Sequence, residues 1–195
     1  MPLAGRGASG ASERDGHDWA AADLARFITA LRATDPAGGP VSEFRRSLSA
    51  RDHVARAAAT AVQDGIDIGR ALAMWEGALA APAPTGPPVW MHGDLHPANL
   101  LVSHGELTAV LDFGLLGVGD PACDLMVAWT YLPAGARAVF RNALMADDAT
   151  WSRGRGWALQ LGLMSAAYSA GNPVLGETGR RTVAGVLADL ELTGE

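Results

Sequence analysis

Residues 92–101 read HGDLHPANLL, and residues 111–114 read LDFG. Val89-Trp90-Met91 before the first stretch, Leu100-Leu101-Val102 at its end and Leu107 to Leu111 after it are short β-type runs, the last two joined by a tight turn at Ser103-His104-Gly105. HGDLHPAN is therefore expected to be a polar loop between strands. It crowds His92, Asp94, His96 and Asn99 together, and Asp112 follows at the end of the next hairpin.

Outward from this ribbon the hydrophobic period becomes helical. Leu24, Phe27, Ile28 and Leu31 form one apolar stripe, and Asp35-Pro36 ends it. A second helix is predicted over 50–62 and a third over 67–80, with Ile68, Leu72, Trp75 and Leu79 on one face and Trp75 in the core. PAPTGPP at 82–88 is a stiff connection. Downstream, helices are predicted over 121–132, opened by Asp120 as N-cap and Pro121 at N1, and over 134–146, 150–170 and 173–192. The fold class is α+β, mainly α: a flexible tail at 1–17, helices at 18–88, a ribbon with its loops at 89–120 and a helical subdomain at 121–192.

The bulk properties exclude several classes. The chain has 195 residues, 49% of them hydrophobic, and a mean hydropathy of +0.11, enough for one buried core. A charge of −6 with no basic cluster argues against nucleic acid and anionic membrane surfaces. The apolar runs are too short for a membrane span and no signal peptide is visible, so a cytoplasmic location is expected. Cys123 is the only cysteine, which rules out an intrachain disulfide, and a buried position suits it. All 15 basic residues are arginine, so no mechanism that needs a lysine from this chain is available.

Two glycine patterns read as structure. Gly5, Gly7 and Gly10 match a phosphate-loop spacing without a strand before them, and Gly117-Val118-Gly119-Asp120-Pro121-Ala122 is read as a turn. His17, His53 and His104 are expected in solvent, and Trp129, Trp151 and Trp157 in the helical core.

The chemistry that suits the loops is phosphoryl transfer. That reaction needs a carboxylate to accept the attacking hydroxyl's proton and hard oxygen ligands for magnesium on the phosphates. Asp94 fits the base, and Asn99 and Asp112 the metal ligands. A rival reading places the alternating His92, Asp94 and His96 on one face as ligands of a zinc hydrolase, with Asp112 or Asp124 completing the site.

HGDLHPAN, LDFG and Gly119-Asp120-Pro121-Ala122-Cys123-Asp124-Leu125 together resemble the aminoglycoside phosphotransferase family, relatives of the protein kinases. The resemblance implies Asp94 as base, Asn99 and Asp112 as ligands of Mg2+ on ATP, and Asp124 as support of the catalytic loop, with His92 and His96 shaping that loop. It implies transfer of the γ-phosphoryl group of ATP to a small hydroxyl- or amine-bearing substrate. It covers about residues 18–192 and only the C-terminal lobe. No strand-like run precedes Val89 and no lysine is present to clamp the nucleotide, so the N-terminal β-lobe is expected to be missing. Leu115 also departs from the acidic residue seen in many relatives. A truncated product, a non-catalytic relative that binds a ligand or partner, and a lobe supplied by a separate chain all accommodate this. The face around 92–114 is then expected to be an exposed patch open to self-association or a partner.

Overall fold

The computed structural model describes residues 13–42, 47–62, 65–104 and 106–193. The first helix, α1 (Glu13–Arg32), begins inside the stretch expected to be a tail, and residues 1–12 lie outside the described set, as do the side chains of 13–19 with His17. Leu24 and Ile28 of its apolar stripe are fully buried. After a 3-10 turn, α2 (Asp52–Ala61) and α3 (Ile68–Ala80) follow. Asp67 caps α3 by accepting the Arg70 amide at 3.0 Å, and Trp75 is fully buried, its indole N–H donating to Asp52 at 2.7 Å.

The β structure differs from the single ribbon expected. β1 (Val89–Met91) pairs antiparallel with β4 (Gly117–Gly119), while β2 (Leu100–Ser103) and β3 (Glu106–Val110) form a separate two-stranded sheet. The Gly117–Gly119 stretch is thus a strand and not the turn its glycines suggested. Residues 40–42 lie against it: Val118 donates to the Pro40 carbonyl at 2.8 Å, and a Cβ on Gly117 would come within 3.0 Å of that carbonyl. The glycine provides room for a neighbouring backbone.

The helix predicted over 121–132 is also corrected. Asp120 accepts the Ala122 amide at 2.9 Å in a local turn and pairs with Arg153, so it caps no long helix. The chain runs instead through a 3-10 turn at Cys123–Met126 into a short α4 (Val127–Thr130), with Cys123, Asp124, Leu125 and Met126 all buried.

α5 (Ala134–Ala143), α6 (Asp148–Ala167) and α7 (Pro173–Thr193) occupy the predicted places. α6 is the central helix, packed against α2, α3, α7 and the 123–126 turn. Trp157, Leu159 and Leu163 of α6 are fully buried, Trp129 and Trp151 nearly so, and His53 and His104 are exposed. Glycines let α6 and α7 approach closely, since a Cβ on Gly179 would lie 2.5 Å from the Gly162 carbonyl. Among the described residues, no helix is long and apolar enough to cross a membrane.

Candidate active site

The HGDLHPAN loop leaves β1 and reverses at Gly93, whose φ of +82° lies in the left-handed region. That turn aims two consecutive amides at one carboxylate: His92 and Gly93 donate to the two oxygens of Asp124, each at 2.9 Å. Asp124 itself is 1% exposed. Burial pushes its carboxyl above the usual carboxylate range, while the two amides, Arg32 and His92 pull the other way.

His92 is fully buried and both ring nitrogens are used. The Asp94 amide donates to Nδ1 at 3.2 Å, which leaves the proton on Nε2 to be donated to the Leu111 carbonyl at 2.9 Å. Phe113 meets the ring edge-on at 4.9 Å and Phe27 of α1 at 6.4 Å. His92 therefore ties the loop to the residue immediately before Asp112.

Above this layer the polar side chains converge. The Asn99 amide group donates to the Asp94 carbonyl at 2.9 Å and to Asp94 Oδ2 at 3.2 Å. His96 accepts the Ala98 amide on Nδ1 at 3.3 Å, so its Nε2–H faces Asp94 Oδ2, also at 3.3 Å. The Leu111 amide donates to the Asn99 carbonyl at 2.8 Å, which sets the Asp112 turn beside the loop. Asp112 is exposed at φ +55°, and its carboxylate accepts the Gly114 amide at 3.1 Å. An Asp or Asn tolerates this left-handed conformation better than most residues.

The structure thus joins Asp94, His96 and Asn99 directly, brings Asp112 next to them through the backbone, and puts His92 and Asp124 underneath. It does not form the zinc site of the rival reading: the His92 ring is enclosed, and no three His, Cys, Asp or Glu side chains among the described residues could hold a metal. Alternation would have aligned His92, Asp94 and His96 on a strand, but the turn at Gly93 breaks that register. For a hard cation the donor set is different. The Asn99 nitrogen is engaged with Asp94, leaving its carbonyl oxygen, and together with the exposed Asp112 carboxylate this is the oxygen chemistry that magnesium prefers. Gly93 and Arg32 were not singled out from the sequence. The glycine between His92 and Asp94 was a usable signal for a sharp turn, whereas nothing near Arg32 points to the loop.

Within this stretch of the chain Leu101, Val102, Leu111 and Phe113 are each 40–49% exposed.

Residues 3–157 match the model of the phosphotransferase enzyme family, APH. The chain belongs to this family. No curated protein sequence matches it. Among solved structures it is similar to the apoenzyme of macrolide 2'-phosphotransferase MphH from Brachybacterium faecium, at 25% identity and a TM-score of 0.52 over 85% of this chain and 59% of that one. It shares the fold of the GDP and kanamycin complex of APH(2")-IIIa, at 18% identity and a TM-score of 0.63, covering 92% of this chain and 65% of the other. It also shares the fold of a thermostable APH(4)-Ia mutant bound to AMP-PNP and hygromycin B, at 19% identity and a TM-score of 0.55, covering 91% and 66%. The chain thus spans about two thirds or less of the phosphotransferases it matches.

Proposed function

We propose that this phosphotransferase chain carries the catalytic loop and metal ligands of an ATP-dependent small-molecule kinase, with Asp94 accepting the proton of the substrate hydroxyl. The bonds from Asn99 to both the backbone and the carboxylate of Asp94 carry this reading. They hold one carboxylate in a fixed orientation at the mouth of a loop, as a base that must meet an incoming hydroxyl requires. Magnesium would be held by Asn99 and Asp112, and it would neutralise charge on the nucleotide phosphates. His96 donates to the same Asp94 oxygen as Asn99 and restricts its rotation.

Substrates are proposed to be small hydroxyl- or amine-bearing molecules of the kind found with relatives, where kanamycin and hygromycin B appear. The acidic surface, with net charge −6, suits a cationic one through long-range attraction. Calorimetric titration with MgATP tests the nucleotide site. Measurable binding that Asp112→Asn removes supports it, and binding that survives unchanged in Asp112→Asn refutes the metal assignment. Where transfer to a substrate is found, Asp94→Asn should reduce kcat by about 10²- to 10⁴-fold, the usual contribution of a general base.

A further inference from the structure

The segment from Asp120 to Asp124 lies between two arginines that come from opposite directions. Arg153 of α6 donates from Nε to Asp120 Oδ2 at 2.8 Å, in a pair that is nearly fully buried, so the Asp120 charge has its own partner. Asp124 is at least as deeply buried and makes no ion pair among the described residues. Its two direct partners are the backbone amides of His92 and Gly93.

Arg32, the last residue of α1, reaches the same turn from the other side. Its Nη2 donates to the Pro121 carbonyl at 2.5 Å, and its Nε is buried without a hydrogen-bond partner. A buried guanidinium N–H without an acceptor is costly, and the field of nearby carboxylates can offset that cost. Burial lowers the affinity of Arg32 for its proton, and Asp124 and then Asp120 act to raise it again. The reciprocal attraction acts on Asp124.

The protonation state of Asp124 matters because of what it binds. Two N–H donors need two acceptor oxygens. A carboxylate provides both, whereas a neutral carboxyl or carboxamide turns a donor towards one of the amides.

We propose that Arg32 is a positioning residue for the Asp94 loop: it pins the Pro121 carbonyl and brings a buried positive charge to the 120–124 turn, whose Asp124 holds the His92 and Gly93 amides. The importance of that loop rests on the proposed role of Asp94, but the linkage itself is a property of the fold. Charged side chains from separate elements face this turn: Arg32 on α1, Asp120 on the turn itself and Arg153 on α6.

Hydrogen exchange at the His92 and Gly93 amides tests the linkage without any activity measurement. Arg32→Gln should speed exchange at these two amides about tenfold while the buried core of α6, around Trp157 to Leu163, keeps its protection. Arg32→Lys, which retains the charge, should restore most of the protection. In an Asp124→Asn background the further effect of Arg32→Gln should fall below about twofold, because the route through Asp124 is already cut. Unchanged exchange in Arg32→Gln overturns the proposal. So does acceleration spread evenly into α6, or a full additional effect on top of Asp124→Asn. Should Arg32→Gln not fold, Arg32→Lys decides: retained protection supports the role of charge, and lost protection overturns it. Absence of phosphate transfer alongside the expected exchange pattern would refute the kinase reading alone.

Discussion

Gly93→Ala is the sharpest perturbation of the loop. Gly93 sits at φ +82°, and an added Cβ would lie 2.6 Å from the Leu115 carbonyl oxygen and 3.3 Å from Leu115 Cβ. Placing an alanine in the left-handed region costs about 1–2 kcal/mol. The overlap is with backbone, so no side-chain rotation relieves it, and forced displacement in a packed region typically adds about 1–3 kcal/mol. The lower entropy of the unfolded alanine chain offsets about 0.4–1 kcal/mol of this. The net expectation is a loss of about 2–4 kcal/mol, since the strain exceeds the entropic gain. In urea unfolding followed by tryptophan fluorescence, a slope of about 2 kcal/mol/M converts this to a midpoint lower by about 1–2 M. Gly77→Ala is the matched control. Gly77 lies on the exposed side of α3 with nothing within 4 Å of an added Cβ, and the same change there should stabilise by about 0.5–1 kcal/mol. A Gly93→Ala midpoint within error of the wild type would refute the close approach of Leu115 and, with it, the turn that aims two amides at Asp124.

Other perturbations probe the scaffold. Asp120→Ala strands the buried Arg153 guanidinium and should cost about 3–5 kcal/mol by the same unfolding assay, and Arg153→Met added to it should recover part of that loss. Gly179→Ala would drive a Cβ to 2.4 Å from the Ala166 nitrogen, and separating α6 from α7 should cost about 3 kcal/mol, visible as a lower thermal midpoint. Asp147 caps α6, its carboxylate accepting the Thr150 amide at 2.6 Å, and bonds to Thr150 hold it below the usual carboxylate range. A depressed carboxyl contributes stability above its unfolded value and loses it as pH falls through the folded one. Asp147→Ala should therefore cost about 1 kcal/mol at neutral pH, a gap that closes as the pH drops below about 4.

Much of this architecture is legible in the chain itself because it rests on local rules. The 3.6-residue stripes of Leu24, Phe27, Ile28 and Leu31 and of Ile68, Leu72, Trp75 and Leu79 depend on neighbours a turn or two away, and helices appear where they predict them. The hairpin of β2 and β3 is equally local. The residue types and order of His92, Asp94, Asn99 and Asp112 suffice to suggest oxygen-ligand and base chemistry.

Other features depend on contacts that sequence spacing does not encode. Gly117–Gly119 looks like a turn because glycines usually make turns; it is a strand because β1 and the 40–42 segment both lie against it. Asp120 looks like a helix cap until Arg153 arrives from α6 and pairs with it. His92 looks like a ligand beside His96 until the Gly93 turn and Phe27 enclose its ring. Sequence alone sufficed to nominate polar loop residues for the chemistry and to place most of the helices, since both readings follow from residue identity and short-range periodicity. Only the tertiary structure decided which of those groups face outward together and which lie beneath them as supports, because the bonds that sort Asp94 from Asp124 join residues about thirty positions apart.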